Sequence, residues 1–137
     1  MKTIFITGAS TGLGKSTAKL FHANGWKVIA TMRRPEQETE LNQLENVTLL
    51  PLDIIDLEQI WQTVQYAISL GYIDVVFNNA GYGLIGPVES NTEKQIRAQF
   101  ETNFFGLVNM IQAVLPGMRS KKHGHIINFS PSSILLK

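Results

Sequence analysis

The sequence contains no cysteine, which excludes a disulfide-stapled scaffold, a thiolate zinc site and a cysteine nucleophile. Its 12 Lys and Arg against 11 Asp and Glu leave a formal net charge of only +1, and we expect no nucleic-acid partner. Apolar residues make up 44% of the chain, which excludes disorder, and the apolar run at the N-terminus is too short for a signal peptide. These features predict a cytoplasmic protein without a membrane partner. The spacing of the three histidines predicts no metal site.

Short apolar runs alternate with helical patterns along the chain, and no linker or internal repeat divides it. The runs lack strict alternation, a pattern typical of strands that are buried on both faces of a sheet. A length of 137 residues suits one domain. We therefore predict a single α/β domain over residues 1–137, with a parallel sheet and helices on both of its faces. The predicted strands are 2–7, 27–32, 47–52, 73–77 and 125–129.

Helical patterns fill the intervals between these runs. The sequence predicts helices over 14–23 and, more briefly, over 35–44. Capping-box pairs indicate that two longer helices begin after Asp56 and Thr92. The last of these helices carries an apolar stripe, and we expect Pro116 to break it.

Residues 7–14, Thr-Gly-Ala-Ser-Thr-Gly-Leu-Gly, join the first predicted strand to the first helix. Glycines allow a positive φ and let backbone N–H groups approach a phosphate at the helix N-terminus. A P-loop would need four residues between Gly8 and the Gly-Lys-Ser segment that begins at Gly14, whereas this chain has five. A plain tight turn with packing glycines is the alternative that involves no ligand.

Four further segments extend this pattern in chain order. Asp53 follows the third predicted strand, the Asn-Asn-Ala-Gly segment 78–81 ends the fourth, and segments 102–106 and 124–130 come later. Together with the Thr-Gly-x-x-x-Gly-x-Gly loop, these segments resemble the short-chain dehydrogenase/reductase family over the whole chain. The resemblance implies a Rossmann-like doubly wound sheet of about five strands, in the order 3-2-1-4-5, that binds a dinucleotide at the carboxyl ends of its strands.

The same resemblance implies which residues serve the site. Asp53 corresponds to the acidic residue that contacts the adenine ring, and Asn103 to an active-site asparagine in a proton relay. Because Asn103 lies on an apolar helix stripe, a backbone group that satisfies its amide is the alternative role. Pro131 stands where the family has its active-site serine, so either Ser130 or Ser132 substitutes for it or the register of this segment is disturbed. The implied cofactor-binding residues are Gly8, Ser10, Thr11, Gly12, Leu13, Gly14, Asp53, Asn79, Ala80 and Gly81.

The interval from Lys15 to Pro35 contains no Asp or Glu. The second predicted strand therefore lacks the carboxylate that holds the ribose 2′-hydroxyl in NAD-preferring folds. Arg33 and Arg34 follow that strand instead, and a guanidinium suits a 2′-phosphate. The sequence thus predicts NADP(H) rather than NAD(H), held by Arg33. A solvated surface charge is the other interpretation of either arginine.

The chemistry of the family transfers hydride between a nicotinamide and a carbonyl or alcohol, with a Tyr-x-x-x-Lys pair as acid and base. No tyrosine of this sequence has a lysine four residues later. We therefore expect a truncated chain that binds cofactor, takes a small carbonyl or alcohol substrate only if completed, and is inactive alone. We also expect a homo-oligomer formed through the edge of the fifth strand or through the long fourth helix.

Two other functions remain open from the sequence. A non-catalytic dinucleotide sensor or scaffold would bind the cofactor without turnover. A P-loop nucleotide hydrolase is disfavoured by the extra loop residue and by the lack of an acid directly after the fourth predicted strand.

Overall fold

A five-stranded sheet lies at the centre of the computed structural model, which describes residues 1–130. Its order is β3-β2-β1-β4-β5, and neighbouring strands pair in parallel. The predicted α/β class and the predicted order 3-2-1-4-5 are therefore confirmed. The strands are β1 (Thr3–Ile6), β2 (Lys27–Met32), β3 (Val47–Pro51), β4 (Val75–Asn78) and β5 (His125–Asn128).

Helices pack on both faces of this sheet. Asp56 caps the second helix by accepting a hydrogen bond from the Gln59 N–H at 3.0 Å, and Thr92 forms a capping box with Gln95. Both predicted helix starts are confirmed. Within residues 1–130 the α-helices are α1 (Gly12–Ala23), α2 (Leu57–Ser69), α3 (Glu93–Phe100) and α4 (Leu107–Lys121).

Alternate residues of the central strands supply two separate apolar cores. Phe5 and Val76 belong to one core, together with the buried residues of α2 and α4. Ile4 and Val75 belong to the other, which includes Ala18 of α1. This alternation follows from the period of two residues along a strand, and it explains why the central strands are apolar throughout.

The predicted helix over 35–44 is wrong. Two short 3₁₀ turns, Pro35–Gln37 and Leu41–Gln43, occupy this segment. The Glu38 carboxylate accepts hydrogen bonds from the N–H groups of Glu40 at 2.8 Å and of Leu41 at 3.0 Å. A side chain that takes these donors competes with the helical hydrogen-bond ladder, so the chain turns at Glu38.

The last predicted helix also differs from the structure. A π-helical turn, Glu101–Gly106, separates α3 from α4, and Pro116 lies inside α4, which continues to Lys121. The expected break at Pro116 is therefore wrong. Pro116 and Gln112 are both exposed, so the carbonyl that lacks its usual N–H donor lies on the solvent side of the helix, where water can satisfy it.

The strand β5 lies at one edge of the sheet as far as residue 130 is described. Ile126 packs against the first core, whereas the Ile127 side chain is 45% exposed. His125 and Asn128 are exposed as well. In the described part of the chain, no helix is long and apolar enough to cross a membrane.

Candidate functional site

The glycine loop connects β1 to α1 at the carboxyl ends of the strands. Gly8 and Gly12 have φ angles of +66° and +55°, which side chains with a Cβ rarely adopt. At Gly14, an added Cβ would lie 2.3 Å from the Gly8 carbonyl oxygen and 2.6 Å from Asn79 Nδ2. The third glycine therefore lets α1 begin in direct contact with the loop.

Hydrogen bonds fix this loop to the end of β4. The buried Thr7 Oγ1 accepts from the N–H groups of Asn79 and Ala80, both at 3.0 Å. In the opposite direction, Asn79 Nδ2 donates to the carbonyl oxygens of Thr7 at 3.2 Å and Gly8 at 3.0 Å. The loop and the Asn-Asn-Ala-Gly segment are thus one connected unit.

A cleft of about 510 Å³ opens above the carboxyl ends of the strands, a size typical of small-molecule sites. The structure brings together here most of the residues that the sequence predicted for cofactor binding. Those that line the cleft are Gly8, Ser10, Thr11, Gly12, Leu13, Arg33, Asp53, Asn79, Ala80 and Gly81. Gly14 lies beneath the loop, where it packs rather than lining the cleft.

Asp53 stands in the turn between β3 and α2. Its backbone N–H donates to Gln59 Oε1, and its carboxylate accepts from the Ile55 N–H at 3.2 Å. These bonds hold the turn so that Asp53 and Ile55 both face the cleft. An acidic and an apolar side chain together suit the polar edge and the flat face of a heterocyclic ring.

Asn103 lies in the π-helical turn and clamps the chain that follows β4. Its Oδ1 accepts from the Tyr82 N–H at 3.0 Å, and its Nδ2 donates to the Tyr82 carbonyl at 2.6 Å. Both polar atoms of the Asn103 amide therefore bond to the backbone of Tyr82. This is the alternative role that the position of Asn103 on an apolar helix stripe left open. Gly81 permits the contact, because a Cβ there would lie 2.9 Å from Asn103 Oδ1.

The predicted serines lie after β5. Ser130 is exposed and follows Phe129, which lines the cleft. Ser132 lies outside the described residues, so the structure does not place it.

A second cavity of about 580 Å³ adjoins the first. Arg33 lines both cavities, whereas Arg34 lines only the second. The second cavity is lined by Ser10, Thr11, Met32, Arg33, Arg34, Gln37 and Glu38.

An ion-pair network that the sequence did not indicate lies at this second cavity. Lys15 Nζ is 3.2 Å from Glu38 Oε1 and 2.7 Å from Glu40 Oε1, and Lys19 Nζ is 2.5 Å from Glu40 Oε2. A P-loop lysine would face a phosphate, whereas Lys15 is held by two carboxylates. The partners are more than twenty residues apart in the chain, and no local sequence signal connects them.

These contacts shift three pKa values. Hydrogen bonds from Lys15 and Lys19 lower the pKa of Glu40 to about 2. Burial acts to raise the pKa of Glu38, but the N–H donors of Leu41 and Glu40 and the Lys15 ammonium together leave it below its usual value. The hydrogen bond to Glu40 raises the pKa of Lys15. All three groups are therefore charged at neutral pH.

Several cleft residues escaped prediction from the sequence. Tyr82 and Thr102 line the cleft. Each is next in sequence to a predicted residue, Gly81 or Asn103, and this proximity in the chain is the signal that could have identified them. The others lie at strand ends or in the turn after β3, and although Thr7 begins the glycine-loop motif and Phe129 lies in segment 124–130, the sequence assigned none of them to the site. They are Thr7, Met32, Leu52, Ile54, Ile55 and Phe129.

A parallel sheet with a glycine loop between β1 and α1, and a cleft at the strand ends, defines a Rossmann-like nucleotide-binding fold. The family described as short chain dehydrogenase matches residues 2–134. The chain belongs to this family, as its motifs predicted.

Individual relatives agree with this assignment. A 3-ketodihydrosphingosine reductase of Bacteroides thetaiotaomicron is 43% identical over 128 residues, which are 93% of this chain and 46% of that protein. The crystal structure of a short-chain dehydrogenase from Streptomyces avermitilis superposes with a TM-score of 0.90 at 35% identity, over 94% of this chain and 48% of that one. ElxO, solved with NADP bound, gives 0.88 at 30% identity, over 94% and 55%. The chain spans about half the length of the curated relatives it matches.

Gly14→Ala should disrupt the loop. Its Cβ would meet the backbone of Gly8, which cannot move aside cheaply, and we expect a loss of about 1–3 kcal/mol in the free energy of unfolding. Gly117→Ala, inside α4, is the matched control. A Cβ at this position would lie 3.8 Å from Ile68 Cδ1, which is an ordinary van der Waals contact. That change should stabilise by about 0.5–1 kcal/mol. Urea unfolding measures both, and equal effects would contradict the packing role of Gly14.

The ion-pair network should make stability depend on pH in the acid range. A carboxylate with a lowered pKa stabilises the fold above its unfolded-state pKa and loses that contribution as the pH falls. For Glu40 this window runs from 4.5 down to about 2. We expect Glu40→Gln to lower the midpoint of thermal unfolding at pH 7. Between pH 4.5 and about pH 2, the midpoint of this variant should fall less steeply than that of wild type. Circular dichroism follows the midpoint, with exposed Glu45→Gln as the control; parallel curves for Glu40→Gln and wild type would refute the assignment.

Proposed function

We propose that this chain binds NADP(H) in preference to NAD(H), with the dinucleotide in the cleft and the 2′-phosphate in the adjoining second cavity. The observation that carries the proposal is the position of Arg33, which lines both cavities and so lies at the boundary between them. The similarity to ElxO, a protein solved with NADP bound, supports the same cofactor.

The residues of the cleft fit such a ligand. Gly8 and Gly12 bring backbone N–H groups to the start of α1, where the helix dipole favours a pyrophosphate. Asp53 and Ile55 would hold the adenine ring at one end. At the other end, Gly81 and its neighbours would leave room for the nicotinamide ribose.

We propose further that the chain belongs to an oxidoreductase that acts on a carbonyl or alcohol. The bound cofactor would supply or accept the hydride. Asn103 would serve by holding the Tyr82 backbone at the cleft, and Ser130 or Ser132 would orient the substrate oxygen. Since no Tyr-x-x-x-Lys pair occurs in these residues, we propose that they bind cofactor without turnover when isolated. General acid help of the kind this pair gives is typically worth about 10²–10⁴ in rate.

Titration with both cofactors tests the assignment of Arg33. Loss of a charged hydrogen bond to phosphate, about 1.5–3 kcal/mol, predicts that Arg33→Ala weakens NADPH binding about 10–100-fold while NADH binding changes little. Quenching of protein fluorescence gives both dissociation constants. Arg119→Ala, an exposed arginine near the end of α4, serves as the control and should leave both constants unchanged. If the Arg33→Ala variant still prefers NADPH, Arg33 is not the residue that binds the 2′-phosphate.

We also propose that the chain self-associates through the β5 edge or through α4. Within residues 1–130, β5 pairs only with β4, and Ile127 on this strand is 45% exposed. An apolar edge strand of this kind is a template for a second copy. Ile127→Lys should shift the light-scattering mass towards that of the monomer, whereas Leu20→Lys, exposed on α1, should not. A monodisperse wild-type monomer at high concentration would end this proposal.

A further inference from the structure

The second cavity combines two cations with a carboxylate. Arg33 and Arg34 stand on its wall, and Glu38 lines it as well. A free carboxylate would repel a phosphate dianion held at Arg33 and would weaken the preference that the arginines create. What neutralises Glu38 therefore decides which ligands the cavity admits.

Glu38 is a buried carboxylate, and one of its two oxygens has three partners. Its side chain is 4% exposed, and its Oε1 accepts from the N–H groups of Glu40 and Leu41. The same oxygen lies 3.2 Å from Lys15 Nζ, on the first turns of α1. The two backbone bonds set the turn of the chain between the 3₁₀ segments, and Lys15 supplies the compensating charge.

Lys15 reaches Glu38 from the helix that begins at the glycine loop. Neither Lys15 nor its other partner, Glu40, lines the second cavity, and the Glu40 side chain is 56% exposed. Lys19 contacts Glu40 but not Glu38 within the ion pairs of the described chain. Lys15 is therefore shared between two carboxylates: with Glu38 it forms an inner pair at the cavity, and it also contacts Glu40, which forms the outer pair at the surface with Lys19.

We propose that the inner pair determines cofactor specificity: Lys15 neutralises Glu38 and so allows the cavity to accept the 2′-phosphate of an adenosine ligand beside Arg33. This inference rests on the proposed binding of NADP(H) in the two cavities. Lys15 and Glu38 act here as positioning and charge-balancing residues, and Arg33 remains the group that contacts the phosphate.

The two members of the inner pair should have opposite effects. Glu38→Gln keeps an oxygen acceptor for the two N–H groups and removes the negative charge from the cavity wall, while Lys15 stays paired with Glu40. The ratio of the NADH to the NADPH dissociation constant should therefore rise about threefold at low salt. Lys15→Gln leaves the carboxylate uncompensated, and the ratio should fall about threefold or more. The double variant should return close to the wild-type ratio.

The outer pair gives matched controls, since each control removes the same charge as its inner counterpart. Glu40→Gln and Lys19→Gln should change the ratio less than about 1.5-fold, because exposed charges outside the cavity are screened by solvent and salt. Raising the salt concentration should shrink the effects of the inner pair. A purely structural role for Glu38 or Lys15 would weaken both cofactors together and leave the ratio unchanged.

Fluorescence titration of each variant with NADPH and NADH measures the ratio, after circular dichroism has verified folding. If Lys15→Gln does not fold, Glu38→Gln and the double variant still decide the matter. An unchanged ratio in Glu38→Gln, or an equal change in Glu40→Gln, overturns the role of the inner pair. Failure of the inner pair leaves the proposed function intact as long as wild type prefers NADPH and Arg33→Ala abolishes this preference. A wild type without an NADPH preference overturns the proposed function itself.

Discussion

The cross-link between the Thr7 hydroxyl and the end of β4 is the interaction on which the site depends. One buried oxygen accepts two backbone N–H groups, and the Asn79 amide returns two bonds to the loop. Because buried donors without partners are costly, the loop cannot move away from β4 without breaking several bonds at once. The glycine loop and the end of β4, which together line the cleft, are therefore held by the same few hydrogen bonds.

The sequence was sufficient to predict the strands, the helix starts and the α/β class because the signals involved are local, whereas the order of the strands was implied by the family resemblance. Buried parallel strands are continuous apolar runs, and the caps at Asp56 and Thr92 are read from residues three positions apart. The segment 35–44 was predicted wrongly because the carboxylate of Glu38 takes backbone donors that a helix would have used. Pro116 was also misjudged, since its tolerance depends on exposure, which only the packed helix defines.

The residues of the site also fall into two groups, those that a local motif predicts and those whose role depends on a tertiary contact. Residues in a motif, such as Gly8 and Asn79, were predicted and do line the cleft. The role of Gly14 is a contact with the loop beneath the cleft, and this follows from how closely the first turn of α1 approaches the Gly8 carbonyl. The pair of Lys15 and Glu38 could not be predicted, because it joins a helix to a turn that the local sequence did not indicate.

The π-helical turn explains why one apolar stripe serves two purposes. Asn103 and Met110 lie seven positions apart, a spacing that puts two residues on the same face of a regular α-helix. Met110 is nevertheless wholly buried, while Asn103 faces the Tyr82 backbone beside the cleft. A wider turn rotates the chain less per residue, so the segment 101–106 changes the phase between the helix that frames the site and the helix that fills the core. A single helical region can thereby face the cleft at one end and the sheet at the other, without a loop between them.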